Sequence, residues 1–221
     1  MNPLSRLQSA LAETLPMASL EVQPLPGCTE INLALINSDF PTGPLPAEVM
    51  HAVIARPAYW AFCWGSGLGL ARTLLDQPAW VRGKTVLDLG SGSGVAGIAA
   101  AMAGASHVVA CDIDPHACLS TTANAAINDT ALEVVTDLNA ASLSRYDIIL
   151  MADVLYDRSN FALLELARGW SDHLLVADSR IRKIDESGFT AVGELQALTF
   201  PNLGEFDEFR TVRLFERLSD Q

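Results

Sequence analysis

The chain has 221 residues, of which 50% are hydrophobic, and carries a formal net charge of −12 at pH 7. This length can bury one sizeable core and leaves little room for two full domains. The negative charge would repel a phosphate backbone, so the composition argues against a nucleic-acid substrate and favours a basic protein segment or a small molecule. The alternative that the charge only keeps the protein soluble stays open.

The four cysteines and four histidines are dispersed along the chain. They show neither Cys-x-x-Cys nor His-x-x-x-His spacing, so the sequence predicts reduced cysteines and no metal site. The first residues lack a basic segment followed by an apolar one, and no stretch approaches the roughly 20 apolar residues of a membrane span. We therefore expect a cytoplasmic protein with no membrane partner.

Residues 1–57 are rich in proline, which divides them into short elements. The pattern predicts a helix over 4–15, strands over 20–25 and 30–36, and a helix over 46–55. We interpret 1–57 as an N-terminal extension packed on a main domain formed by residues 58–221.

From residue 85 onward, apolar runs alternate with segments of helical spacing. We predict buried strands over 85–89, 107–112, 132–136, 146–152 and 174–178, and intervening helices over 94–103, 115–127 and 159–170. Two further strands, 194–200 and 209–218, follow each other and predict a hairpin. The chain is thus expected to be an α/β protein with a Rossmann-like, doubly wound sheet of seven strands and an antiparallel last strand.

A glycine-rich turn follows the first of these strands and runs from Asp88 through Gly90 and Gly92 to Gly94. The glycines let the backbone turn sharply and bring its N–H groups close to a ligand carboxylate, at the sheet edge where such folds bind ligands. Asp88 can accept a hydrogen bond from a ligand's ammonium group, but it would repel a pyrophosphate. The turn therefore favours S-adenosylmethionine as the cofactor.

The same segment contains a competing dinucleotide-type pattern. Residues 92–97 read Gly-x-Gly-x-x-Gly, and Asp112 follows after twenty residues. In a dinucleotide fold the first glycine directly follows the strand, a place that Gly90 holds here, so an NAD-binding oxidoreductase is the less favoured alternative. With either cofactor, Asp112 can accept hydrogen bonds from both ribose hydroxyls. We expect Asp137 to accept one from the adenine amino group.

The fourth strand of the main domain ends at Ala152-Asp153, and Val-Leu-Tyr156 follows. In such a sheet this strand end faces the methyl group to be transferred, so we expect Ala152 to contact the cofactor. Many methyltransferases that act on amides or exocyclic base amines carry Asn-Pro-Pro-Tyr here. The carboxylate of Asp153 instead favours a basic amine, which it can orient by a charge-assisted hydrogen bond.

Residues 56–67 (Arg-Pro-Ala-Tyr-Trp-Ala-Phe-Cys-Trp-Gly-Ser-Gly), 86–94 and 153–156 together resemble a known family. They are similar to the seven-strand (class I) lysine methyltransferases, which include nicotinamide N-methylase-like proteins and the methyltransferases of the electron transfer flavoprotein β subunit. The resemblance covers residues 30–179. It implies that Asp153 and Tyr156 lie at the methyl-transfer site and that Trp64 lies over the cofactor. Ribosomal protein L11 methyltransferases share the cofactor motifs but carry an Asn-Pro-Pro-type turn instead.

The sequence thus predicts an S-adenosylmethionine-dependent N-methyltransferase whose acceptor is a protein lysine. Tyr59 and Trp60 are the expected substrate contacts, although core packing remains an alternative for Trp60 and Trp64. The Gly65-Ser-Gly67 sequence after them indicates a loop. A small-molecule amine methyltransferase and a cofactor-binding module without activity are the other hypotheses.

Overall fold

The computed structural model describes residues 3–185, 188–204 and 207–218, so residues 1–2, 186–187, 205–206 and 219–221 of the predicted domains lie outside the described residues. The helices are α1 (Pro3–Thr14), α2 (Ala47–Ala55), α3 (Gly65–Asp76), α4 (Val95–Met102), α5 (Pro115–Ile127) and α6 (Ala162–Ala167). The strands are β1 (Leu20–Leu25), β2 (Cys28–Ile36), β3 (Thr85–Leu89), β4 (His107–Cys111), β5 (Glu133–Val135), β6 (Ile148–Ala152), β7 (His173–Asp178), β8 (Phe189–Gln196) and β9 (Thr211–Leu218).

The main sheet has seven strands in the order β5-β4-β3-β6-β7-β9-β8. The strands from β3 to β7 pair in parallel, with Leu87 opposite Val109 on one side and Ile149 on the other. The last strand, β9, runs antiparallel to both β7 and β8. The predicted α/β class and the antiparallel last strand are therefore confirmed. The order reverses between β3 and β6, which places a ligand-binding crevice at the carboxyl ends of these strands.

Alternate residues of the parallel strands pack into two separate cores. Val86, Ile148 and Leu175 point toward α3 and α4, whereas Leu87, Ile149 and Leu174 pack in the other core with residues of α6. Because both faces of the sheet are covered, its strands need apolar residues on both sides, which explains the nearly continuous apolar runs.

The N-terminal elements cover the α4–α5 side of the sheet. Leu7 and Leu11 of α1 are fully buried in a cluster that includes residues of α5. Two asparagines of α5 also bind the backbone of β2. Asn128 Oδ1 accepts from Asn32 N at 2.9 Å, and Asn124 Oδ1 accepts from Ala34 N at 2.8 Å. These amide groups accept from backbone donors of β2 and so attach the strand to α5. The division of the chain at residue 57 stays a prediction.

Helix α3 corrects the expected loop at Gly65-Ser-Gly67, since these residues form its first turn. Glycine lowers intrinsic helix propensity, but here it permits close packing. A Cβ on Gly67 would lie 2.9 Å from Val95 Cγ1, and one on Gly69 would lie 2.7 Å from Leu195 Cδ1. Tertiary contact therefore outweighs the local preference for a loop.

The hairpin strand predicted at 194–200 lies earlier in the chain, at Phe189–Gln196. Its register shifts between Ala191 and Gly193, which marks a β-bulge. Beyond β8 the chain leaves the sheet, and Phe200 forms an isolated antiparallel bridge with Cys63. Residues 197–200, which we predicted as part of the strand, instead end in a contact with the segment before α3. Within the described ranges, no helix is long and apolar enough to cross a membrane.

Candidate active site

The glycine-rich turn between β3 and α4 has a left-handed backbone at Gly90, Gly92 and Gly94, with φ values of 79°, 53° and 82°. A Cβ on Gly90 would lie 2.7 Å from Val154 Cγ2, so a side chain there would collide with the loop after β6. A Cβ on Gly92 would meet no atom within 4 Å. The turn therefore needs glycine for its shape, and at Gly92 it faces open space that a ligand can occupy.

Asp88 supports this turn from inside the protein. Its side chain is 2% exposed, and Oδ2 accepts a 2.8 Å hydrogen bond from the N–H of Gly97 in the first turns of α4. Burial, with a smaller contribution from the charge of Asp112, raises the pKa of Asp88 to about 7. Asp88 thus ties β3 to α4, and its contact with a ligand's ammonium group stays a prediction.

Asp112 lies beside the turn, one residue after β4. Its Oδ2 accepts from the N–H of Gly92 and its Oδ1 from the N–H of Asp114, both at 2.9 Å. Burial raises the pKa of this carboxyl group despite the two hydrogen bonds. Each carboxylate oxygen can accept a further hydrogen bond, so Asp112 can still bind a pair of hydroxyl groups.

Asp137 follows β5 and is exposed. Its Oδ1 accepts hydrogen bonds from both the backbone N–H and the side-chain amide of Asn139, at 2.9 and 2.8 Å, and so caps a short 3₁₀ helix at Leu138–Ala140. This cap accounts for an aspartate at the strand end. The contact of Asp137 with the adenine amino group stays a prediction.

Asp153 directly follows β6 and has an unusual backbone conformation for a residue with a side chain, with a φ of 52°. Its side chain is 10% exposed. Ser66 Oγ donates to Oδ1 at 2.6 Å, Ser66 N–H donates to Oδ2 at 2.9 Å, and Arg180 Nη1 lies 3.7 Å from Oδ1. Burial is the main cause that raises the pKa of Asp153 to about 6, and the charge of Asp178 adds to it.

Four aromatic side chains contact one another, and we call them the aromatic cluster: Tyr59, Phe62, Trp64 and Tyr156. The ring centroids of Tyr59 lie 5.6 Å from Trp64 and 5.9 Å from Tyr156, both edge to face, and Phe62 lies 5.8 Å from Trp64. Trp64 Nε1 also donates to the carbonyl of Tyr59 at 2.9 Å. Tyr59 and Tyr156 are about half exposed, so the cluster presents aromatic rings to solvent.

Comparison with known proteins identifies sequence relatives of this chain. The family model of the ribosomal protein L11 methyltransferases (PrmA) matches residues 72–162, which hold the glycine-rich turn and Asp153. The electron transfer flavoprotein β subunit lysine methyltransferase of Mus musculus is 46% identical over 101 residues, which is 45% of this chain and 40% of that protein. Its Caenorhabditis elegans homolog is 34% identical over 157 residues, covering 64% of this chain and 62% of that protein.

Among solved structures, the ribosomal protein L11 methylase of Lactobacillus delbrueckii subsp. bulgaricus aligns with a TM-score of 0.51 and 23% identity. The alignment covers 68% of this chain and 77% of that one. The fold is that of the Rossmann-like, S-adenosylmethionine-dependent methyltransferases. The resemblance to lysine methyltransferases stated from the sequence is confirmed by the relatives, although the matched segment spans less than half of the mouse protein.

Within this methyltransferase fold, the predicted residues occupy two neighbouring regions. Asp112 meets the glycine-rich turn directly, whereas Ala152 and Asp153 end β6, and Tyr156 contacts Tyr59. Phe62, Ser66 and Arg180 were not anticipated. Ser66 carried a weak signal, as a polar residue between two glycines directly after Trp64.

Trp60 does not join the aromatic cluster. It is 2% exposed and packs with the N-terminal elements, with its ring centroid 6.2 Å from that of His116. The carbonyl of Trp60 accepts a hydrogen bond from Ser120 in α5. This position agrees with the core-packing alternative, so we do not retain Trp60 in the proposed acceptor site.

Proposed function

We propose that this protein is an S-adenosylmethionine-dependent N-methyltransferase and that its methyl acceptor is a lysine side chain of another protein. The observation that carries the proposal is the nearly buried carboxylate of Asp153, held directly after β6 by Ser66, which follows Trp64 of the aromatic cluster by two residues. The names of the curated relatives, which are protein methyltransferases, support a protein acceptor.

The cofactor is proposed to lie along the carboxyl ends of β3 and β4. The open space at Gly92, the left-handed turn and the remaining acceptor capacity of Asp112 fit the carboxylate tail and the ribose of S-adenosylmethionine. In this placement Gly90, Gly92 and Gly94 shape the turn, Trp64 and Ala152 contact the cofactor, and Asp137 reaches the adenine. Once bound, S-adenosylmethionine supplies a methyl group activated by a sulfonium charge.

The protein's main task is then to align the acceptor for an in-line displacement, and good alignment can contribute roughly 7–11 kcal/mol. A lysine must attack as the neutral amine, which costs about 4–5 kcal/mol at pH 7 for a pKa near 10.4. With a pKa of about 6, Asp153 is mostly ionised at neutral pH and favours the charged amine. Asp153 therefore orients the acceptor by a hydrogen bond, and water removes the proton.

The aromatic cluster complements this role. Tyr59, Trp64 and Tyr156 can desolvate the amine, which lowers the cost of its neutral form. Their ring faces can also hold an ammonium group by cation–π contact, worth about 0.5–1 kcal/mol at an exposed site.

The test is incubation with methyl-labelled S-adenosylmethionine in three parallel reactions. One contains purified electron transfer flavoprotein β subunit, one a protein extract and one a small-molecule extract. We expect label on protein, at a level that Asp153→Asn sharply reduces. Label confined to small molecules would favour the amine alternative. Tighter binding of NAD than of S-adenosylhomocysteine would favour the oxidoreductase alternative.

Two remaining expectations need their own measurements. The cytoplasmic location is tested by cell fractionation, with the protein expected in the cytosolic fraction. The absence of a nucleic-acid or membrane partner is tested by sedimentation with RNA and with lipid vesicles, in which we expect the protein to stay in the supernatant.

A further inference from the structure

Ser66 contacts both oxygens of the Asp153 carboxylate. It is fully buried in the first turn of α3, where its Oγ donates to Asp153 Oδ1 at 2.6 Å and its backbone N–H donates to Oδ2 at 2.9 Å. The N–H is one of the donors that the start of a helix leaves without an intrahelical partner. A carboxylate held in this way cannot rotate without losing two charge-assisted hydrogen bonds.

We propose that Ser66 is a positioning residue for methyl transfer, which fixes the orientation of the Asp153 carboxylate so that its remaining lone pairs face the acceptor amine in one direction. This inference rests on the proposed function, because it assigns Ser66 a role in presenting Asp153 to that amine. In this role Ser66 carries no charge and does not itself touch the acceptor.

The backbone conformation at Asp153 needs support from neighbouring residues. Its left-handed conformation is unfavourable for a residue other than glycine and persists only where surrounding contacts hold it. The N–H of Asp153 donates to the carbonyl of Ala177 at 3.1 Å, which fixes the main chain. The two bonds from Ser66 fix the side chain. Without the hydroxyl, Oδ1 would lose its 2.6 Å hydrogen bond and keep the more distant contact with Arg180, at 3.7 Å.

The aromatic cluster also adjoins the start of this helix. Trp64 directly precedes α3, and its indole contacts Tyr59, which in turn contacts Tyr156. Since Ser66 follows Trp64 by two residues, one turn of helix sets the position of the carboxylate relative to the indole. The start of α3 thereby fixes the distance between the Asp153 carboxylate and the indole of Trp64 in the proposed acceptor site.

Other charged or titratable groups also face Asp153. Arg180, whose guanidinium lies 4.8 Å from the ring centroid of Phe209, lowers the pKa of Asp153, whereas Asp178 raises it. Burial raises the pKa of the Cys63 thiol, and the charge of Asp153 adds a smaller increase. Both hydrogen bonds from Ser66 lower the pKa of Asp153 and oppose the effect of burial. Loss of the hydroxyl therefore shifts protonation of Asp153 to higher pH.

The experiment compares Ser66→Ala with Ser120→Ala. Both serines are fully buried, but Ser120 Oγ donates to the carbonyl of Trp60, away from Asp153. For Ser66→Ala we expect a fall in kcat of roughly 10- to 100-fold, from the loss of a hydrogen bond to a charged group. The acid limb of its pH–rate profile should move to higher pH, while the affinity for S-adenosylhomocysteine changes less than about twofold. Ser120→Ala should keep the wild-type profile.

A measurement that needs no turnover separates this inference from the proposed function. Carboxyl ¹³C NMR of aspartate-labelled protein gives the protonation of Asp153 directly, with Asp153→Asn to assign the signal. We expect the Asp153 titration to move to higher pH in Ser66→Ala, and by a smaller amount in Ser66→Cys, whose thiol fills the space but donates weakly. Titrations and pH–rate profiles that coincide with the wild type in both variants would overturn the role of Ser66. Absence of methyl transfer by the wild type would instead contradict the proposed function.

Discussion

The N–H of Gly92 donates a 2.9 Å hydrogen bond to Asp112 Oδ2, which joins the middle of the glycine-rich turn to the end of β4. Asp112 thus holds the turn in its left-handed shape from one side. On the side where the Cβ of Gly92 would project, there is open space. A methyl group added there would strain the backbone and intrude into the space proposed for the cofactor.

Gly92→Ala should therefore weaken binding of S-adenosylhomocysteine by about tenfold or more, a loss of about 1.4 kcal/mol. Gly83→Ala is the matched control, since Gly83 also has a positive φ, of 73°, and open space at its Cβ. Gly83 lies just before β3, at the amino end of the strand, whereas the cofactor is proposed to lie at the carboxyl end. We expect each variant to lose about 1–2 kcal/mol of unfolding free energy from the left-handed backbone. Calorimetry should show weaker binding only for Gly92→Ala, and equal affinities would contradict the placement of the cofactor.

Asp153→Asn should lower kcat by roughly 10- to 100-fold, because the amide keeps the size of the side chain but loses charge-assisted hydrogen bonds to the amine. Asp172→Asn is the control, since Asp172 forms an exposed ion pair with Arg145. Such surface pairs contribute little to stability. Steady-state rates with a lysine-containing protein acceptor check the prediction, and equal rates in both variants would show that Asp153 does not orient the acceptor.

Asp88 should make the unliganded protein less stable as the pH rises. Its folded pKa, about 7, lies above its unfolded value near 4, so the folded state binds the proton more tightly. The unfolding free energy should fall between about pH 4 and 7 through this group. Asp88→Asn can still accept from Gly97 and should reduce that fall, so that it is more stable than the wild type at pH 8 and similar at pH 4.

Asp147 provides a comparison of opposite sign. Its Oδ2 accepts from the N–H and hydroxyl of Thr85, at 2.7 and 2.8 Å, and these bonds lower its pKa. Its stabilising effect is present above the unfolded pKa and is lost as the pH falls through the folded value. Asp147→Asn should therefore be less stable than the wild type at pH 7. Denaturant unfolding across pH checks both variants, and a wild-type pH dependence in Asp88→Asn would contradict the buried role of that carboxyl group.

Tyr156→Ala should raise KM for a lysine-containing acceptor about two- to fivefold, as expected for the loss of a cation–π contact of about 0.5–1 kcal/mol. Tyr156→Phe keeps the ring that contacts Tyr59 and should raise KM less. Tyr146→Phe, a buried tyrosine whose hydroxyl donates to the carbonyl of Leu143, serves as the control and should leave KM unchanged. If Phe and Ala at position 156 behave alike, the hydroxyl rather than the ring is the important group.

The local signals of the main sheet were strong enough to predict much of the fold. Helix α5 has the predicted bounds because Pro115 occupies its first position and Asp114 caps it by accepting from the N–H of His116. The glycine-rich turn was recognisable because a left-handed backbone and close approach both require glycine.

What the sequence left open depends on contacts between distant segments. Core packing was the alternative for both Trp60 and Trp64, but a 3₁₀ turn ends at Ala61 and α3 starts only at Gly65, so the two residues do not share a helix. The two rings consequently separate, one into the core and one to the aromatic cluster. The contacts of Ser66 and Arg180 with Asp153 span 87 and 27 residues, and the weak local signal at Ser66 does not indicate its partner.

The most direct test of the proposed function is tandem mass spectrometry of a protein extract after incubation with S-adenosylmethionine that carries a trideuterated methyl group. We predict the label on a lysine Nζ with the wild-type protein and a strongly reduced amount with Asp153→Asn. Label on a different type of atom, or equal labelling by both proteins, would contradict amine methylation directed by Asp153.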